Sequence, residues 1–207
     1  MASAPLPLVY RRVTPPTAPV IDLTLARKHL RIDADDSSED VMIGAAIDAA
    51  TAYCDGRSGI LNRALVAQTW TATTDRPGAH VAGCASGFFL DFGPVLSVTR
   101  IERRVNGAYV ALAESAWRVI PLAGDLTAIV PAQAGAWGPA DADPQAWRLT
   151  FVAGYGEAAD AVPAPIRAAI LLMMSDLFET RDAKVQANLV DNPTIARLLA
   201  LDCRVGL

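Results

Sequence analysis

The sequence predicts an α+β fold, in which a helical core carries an inserted antiparallel β unit. The helical core comprises an N-terminal helix pair plus a C-terminal buried helix. Three observations predict it. From Leu65 to Ala153 apolar residues recur with a strand-like period, and no helical stretch intervenes, which favours an antiparallel arrangement over a parallel α/β sheet. On either side the period lengthens to that of a helix. Finally, Ile166, Ala169, Ile170, Met173 and Leu177 occupy one face of a helix whose other face carries Leu171, Leu172, Met174 and Phe178. A helix apolar nearly all round has to be buried.

Composition narrows the class. A chain of 207 residues can bury about 70% of its unfolded surface and needs no disulfide or metal to fold. Cys54, Cys84 and Cys203 show no Cys-x-x-Cys spacing, and His29 and His80 are the only histidines, so neither a disulfide framework nor a zinc site is expected. The net charge of −4 argues against nucleic-acid binding driven by bulk electrostatics. No apolar run reaches the roughly 20 residues of a membrane span, and the start lacks a signal pattern, so a soluble protein of cytoplasmic origin is expected.

In chain order, residues 1–20 read as a proline-rich arm. Pro5, Pro7, Pro15, Pro16 and Pro19, with the pair Arg11-Arg12, exclude a helix or a central strand and leave either disorder or an extended docking arm. Residues 21–64 hold the N-terminal helices. Asp22 or Thr24 caps a helix over Leu25–Arg31 whose cations Arg27, Lys28 and Arg31 lie near its C-terminal end. The acidic run Asp33–Asp40 is no calcium loop, because Ser38 stands where glycine is needed and Gly44 where the bidentate glutamate is needed. Ser37 with Asp40 instead resembles a capping box for a helix over Ser38–Gly56. That helix carries Ile43, Ala46, Ile47, Ala50 and Cys54 on one stripe and Asp40, Gly44, Asp48, Thr51 and Asp55 on the other. It is expected to pack one face and show an acidic one. In a side-by-side assembly, Asp40, Asp48 and Asp55 would meet Arg27, Lys28 and Arg31 of a neighbour.

Residues 65–153 form the β insertion. Strands are expected at Val66–Thr74, Phe88–Phe92, Val95–Val105, Tyr109–Leu112, Trp117–Ile120, Leu126–Val130 and Arg148–Ala153, with Trp147, Leu149, Phe151 and Ala153 on one face of the last. Asn106-Gly107 marks a type I′ turn, since both residues accept positive φ. Arg100, Arg103 and Arg104 form a basic cluster without interleaved aromatics, and so read as a solvated sheet face and not as a nucleic-acid contact. Residues 154–191 carry the buried helix after Pro163 and Pro165, which suit a first turn. In 192–207, Asn192 caps a short helix with Pro193 first. Its stripe of Ile195, Leu198 and Leu199 leads to Leu201, Val205 and Leu207, which either folds back on the core or docks on a partner.

No catalytic pattern is complete in the sequence. Gly154-Tyr155-Gly156-Glu157-Ala158-Ala159 matches a dinucleotide-binding pattern, but the prolines delay the helix and no second strand with its ribose-binding acid follows, so the turn reads as a hinge. Ser86 lacks the Gly-x-Ser-x-Gly elbow, no phosphate loop or His-Glu-x-x-His occurs, and neither histidine has a nucleophile pattern beside it. No catalytic, cofactor-binding or metal-binding residue is assigned.

The order of the pieces is more telling. Val20–Arg31, the acidic linker, the helix ending near Arg57-Ser58-Gly59, Gln68-Thr69-Trp70, Pro94–Val98, Phe151–Gly156 and Val162–Ile170 together resemble the head-tail connector (adaptor) family of long-tailed bacteriophages and gene transfer agents, over residues 20–181. The resemblance implies a non-enzymatic ring, commonly of twelve copies, in the neck of a virion or phage-like particle made in the bacterial cytoplasm. Its partners would be the portal protein, a tail-side neck or stopper protein, and DNA passing through without sequence-specific binding. In that setting the ring contacts would fall on Arg27, Lys28, Arg31, Asp40, Asp48 and Asp55, and the portal contacts on Ile195, Leu198, Leu199, Leu201, Val205 and Leu207. The competing class is a small enzyme or ligand-binding protein that uses the β unit as a pocket.

Overall fold

The computed structural model describes residues 5–132, 137–179 and 192–200. They form a mixed α+β molecule with four helices and two antiparallel sheets among the described residues. The chain divides into two compact units: residues 1–16 with 67–154, and residues 17–66 with 155–207.

The first unit is all β. One sheet has the order β1-β2-β9-β5-β6, from Val9–Thr14, Gln68–Thr74, Trp147–Ala153, Val95–Val105 and Ala108–Ala111. Its centre is β9, whose Trp147, Leu149, Phe151 and Ala153 are buried, as the period of two predicts. On β2 the residues directly opposite are Thr74, Ala72, Trp70 and Gln68, so Trp147 and Leu149 face smaller side chains while Phe151 faces Trp70. The second sheet has the order β3-β4-β8-β7, from Gly78–Val81, Cys84–Leu90, Thr127–Pro131 and Trp117–Pro121. The sheets meet where Phe88 of β4 approaches Trp147 of β9, with ring centroids 5.4 Å apart. Two-residue connection of β5 to β6 is made by Asn106 (φ 53°) and Gly107 (φ 82°), the positive φ pair of a type I′ turn. The Asp141 carboxylate accepts from both of their amides, at 3.0 and 2.8 Å.

Two features of this unit depart from the sequence reading. The insertion is two sheets, and β3, which lacked a strand signal, belongs to the second. The N-terminal arm supplies β1, an edge strand antiparallel to β2. All five arm prolines lie outside Val9–Thr14, so no ladder bond is lost. Further ties hold it: the Leu6 amide donates to Asp75 Oδ1 (2.8 Å), and the Tyr10 hydroxyl to Asp91 Oδ1 (2.6 Å).

The second unit is helical. It contains α1 (Leu23–Leu30), α2 (Asp40–Cys54), α3 (Ala164–Glu179) and α4 (Pro193–Ala200). Asp22, the first of the two candidate caps, accepts from the Leu25 amide at 2.7 Å. The capping box expected at Ser37 and Asp40 does not form: Glu39 occupies the cap position and its side chain does not cap the helix, and the Asp40 carboxylate is bound by Arg27 instead. Ser38 turns back to Asp36, to which both its amide and its hydroxyl donate. Ile43, Ala46, Ile47, Ala50 and Cys54 of α2 pack in one core with Ile166, Ala169, Ile170, Met173 and Met174 of α3, the stripe expected of α2. The other flank of α3 is packed too, since Met174 is buried in this core and Leu171, Leu172 and Phe178 are half-buried against it, as is Leu177 at the end of the first face. After α2 the chain returns sharply at Gly59, where a Cβ would stand 2.6 Å from the carbonyl oxygens of Asp55 and Cys54.

Candidate assembly surfaces

The charges expected to reach a neighbouring subunit divide into two groups. Arg27 and Asp40 find each other within the chain. The guanidinium Nε donates to Asp40 Oδ1 at 2.8 Å, a second nitrogen binds Oδ2, and a third contact goes to the Ala34 carbonyl at 2.8 Å. The hydrogen bonds that Arg27 donates to Asp40 hold the Arg27 pKa above its ordinary value against partial desolvation. Asp55 is likewise occupied: its Oδ1 accepts from the Leu65 amide at 2.8 Å and pins the return of the chain after α2. Lys28, Arg31 and Asp48 are exposed and stand outside any ion pair among the described residues.

The outward face of α2 is not the acidic surface expected. Val41, Met42, Ala45, Ala49, Ala52 and Tyr53 are exposed there, with Val41 at 84% of its full accessibility, and Asp48 is the single charge among them. The acidic stripe of the sequence lies between the two apolar ones: Asp40, Gly44, Thr51 and Asp55 are half-buried at its margins. Spacing of Val41, Ala45, Ala49 and Ala52 is a helical stripe that could have been read from the sequence. Its alanines dilute the apolar signal, and the neighbouring acids carry the stronger pattern. Ile60 continues the stripe beyond the helix, its amide donating to the Tyr53 carbonyl at 2.8 Å.

At the C-terminal end, Ile195 and Leu199 are buried in the helical core and Leu198 is half-buried against it. These three side chains therefore secure α4 to its own unit, the fold-back alternative of the sequence reading. Leu201, Val205 and Leu207 lie outside the described residues.

The β unit offers a cavity of about 610 Å³ whose lining includes Asp75, Arg76, Ser86, Trp137, Asp141 and Trp147. Its two carboxylates serve the fold, Asp75 as acceptor for the Leu6 amide and Asp141 for the Asn106–Gly107 turn. The basic cluster is similarly absorbed. Arg104 pairs with Asp143 at 2.8 Å, Arg100 with Glu102 at 3.1 Å, and Arg103 donates to the Trp137 and Pro139 carbonyls. Among the described residues no group of three or more His, Cys, Asp or Glu side chains is placed to hold a metal ion, and no helix is long and apolar enough to cross a membrane. Burial, with Asp55 nearby, pushes the Cys54 thiol up to about 12 and leaves it without nucleophilic character near neutral pH.

No family model and no curated protein matches the chain. Solved structures do. The chain is similar to one in the virion of a native gene transfer agent particle, with a TM-score of 0.70, 21% identity and 96% of both chains covered. It is also similar to one in the neck of an empty gene transfer agent particle computed with C6 symmetry, with a TM-score of 0.69 and 21% identity over 96% of this chain and 97% of that one. A third lies in the neck of the native particle computed with C12 symmetry, at a TM-score of 0.65, 20% identity and the same coverage. Both units, and thus nearly the whole chain, share the fold of these neck and virion chains.

Proposed function

We propose that the chain is a structural head-tail connector (adaptor) subunit, one copy of a ring in the neck of a phage-like or gene transfer agent particle, between the portal and the tail. The observation that carries this is the fold shared over 96% of the chain with chains of gene transfer agent particles, two of them from the neck. Neck structures computed with C6 and C12 symmetry support a cyclic assembly, and twelve copies satisfy both symmetries. The role is mechanical: the ring joins head to tail and leaves a channel for DNA. A net charge of −4 suits a conduit that has to release the DNA passing through it. No step of chemistry is assigned to the chain.

Ring closure is assigned to the helical unit, and portal docking to the segment beyond Ala200 that carries Leu201, Val205 and Leu207. Ile195, Leu198 and Leu199 support docking indirectly by holding α4 in place. Electron microscopy of the full chain mixed with portal-bearing capsids tests the reading: rings at the portal vertex are expected. A chain that forms no ring, alone or on portals, overturns it.

A further inference from the structure

We infer that the exposed apolar stripe of α2 is one half of the contact between successive copies in the ring, and that the outward face of α1, around Leu25, Lys28 and Arg31, is the other. The inference rests on the ring reading above and names the surfaces that close the ring.

A cyclic assembly needs a heterologous contact, in which each copy presents two different and complementary surfaces. The helical unit has two such surfaces. Along α2, the stripe from Val41 to Tyr53 runs about 18 Å at 1.5 Å per residue. Its middle is built of Ala45, Ala49 and Ala52, small enough for another helix to approach to about 8 Å between axes. Larger side chains close both ends, with Val41 and Met42 at one and Tyr53 at the other, all exposed in the single chain. A continuous apolar surface of this kind marks a binding site.

Asp48 selects the occupant. One carboxylate midway along the margin of an apolar stripe is costly to bury unless a cation comes opposite. The outward face of α1 supplies that chemistry: Leu25 is exposed, Lys28 lies one turn further on the same face, and Arg31 follows at the helix end. Neither cation is in an ion pair among the described residues, whereas Arg27, on the inner side, is committed to Asp40. The sequence reading that acids on α2 meet cations on a neighbour's α1 thus keeps Asp48, Lys28 and Arg31. Arg27, Asp40 and Asp55 are consumed within the chain, and an apolar stripe supplies the contact area.

Three sets of full-length variants, mixed with portal-bearing capsids and imaged, test this. Ala45→Glu with Ala49→Glu changes exposed helical positions to a good helix former; it is expected to keep the wild-type melting temperature and to lose rings. Asp48→Lys and Lys28→Glu are each expected to weaken assembly about tenfold, and their combination to restore it to within about threefold. Wild-type rings from the Ala45→Glu, Ala49→Glu chain would overturn the inference while leaving the connector reading intact. A marked loss of melting temperature with rings retained would mean that the chain's own residues cover the stripe, and would also overturn it. Absence of rings from the unmodified chain would instead overturn the connector reading.

Discussion

At the scale of single residues, the most consequential groups are charges spent inside the fold. Glu102 on β5 is only 3% exposed. It accepts from Arg148 Nε at 2.6 Å and pairs with Arg100 at 3.1 Å, while the Arg148 guanidinium lies 4.0 Å from the centre of the Tyr109 ring. The hydrogen bond that Arg148 donates to Glu102 raises the Arg148 pKa above its ordinary value, so this cation stays charged at any pH the protein meets. Glu102→Ala leaves Arg148 without its carboxylate and is expected to cost about 1–3 kcal/mol in urea denaturation, with Glu102→Gln costing less. Asp75 sets a pH limit. Burial alone would raise its pKa, but the Leu6 amide, Arg76 and the Thr74 hydroxyl outweigh it and hold the carboxyl below its ordinary 3.8. A depressed folded pKa stabilises above the unfolded value and is lost as pH falls through the folded one. Protection factors of the arm amides, taken relative to the intrinsic exchange rate at each pH, are therefore expected to fall below about pH 3.8, and Asp75→Asn to lower them at every pH above that.

The elements show how packing overrides local pattern. One helix keeps the role its sequence suggests and the other departs from it. The nearly all-apolar α3 is covered on both flanks by its own unit, whereas α2, with its acids, turns an apolar face to solvent. Only one face of a helix can be judged core from its period. Which second face remains open depends on the neighbours. The short α4 has its Ile195 and Leu199 in the same core as α2 and α3. An eight-residue helix does not hold itself together in water, so this burial is what forms it. Ile195→Ala is expected to destabilise the chain by about 2–4 kcal/mol, read as a lower denaturation midpoint at unchanged slope. A change of less than about 0.5 kcal/mol would show that α4 is not docked.

For the whole molecule, the division of labour at the C-terminus can be separated by truncation. Removing residues 192–207 takes away core side chains along with any docking segment, so loss of attachment would be ambiguous. Removing 201–207 keeps α4. That shorter truncation is expected to leave the melting temperature within about 2 °C of the full chain and to abolish attachment to portal-bearing capsids, measured by co-sedimentation. Undiminished attachment would remove Leu201, Val205 and Leu207 from the docking role. Asp75, Asp141 and Asp55 are committed to the N-terminal arm, the Asn106-Gly107 turn and the return of the chain after α2.

By itself the sequence determined the α+β class, the buried faces of β9, α2 and α3, and the Asn106-Gly107 turn, because periodicity and positive φ are local properties written into consecutive residues. It also exposed the order of elements that resembles the connector family. Only the tertiary structure decided that the insertion is two sheets, that Val9–Thr14 closes the edge of one, and that Arg27 belongs to Asp40 of its own chain. Those outcomes depend on contacts between segments far apart in the chain: the arm meets β2 across some sixty residues, as in the pairing of Val9 with Thr73. Period reveals which faces are apolar, but that the Val41–Tyr53 stripe of α2 is the face left open emerges only from the packing of α2 against α3.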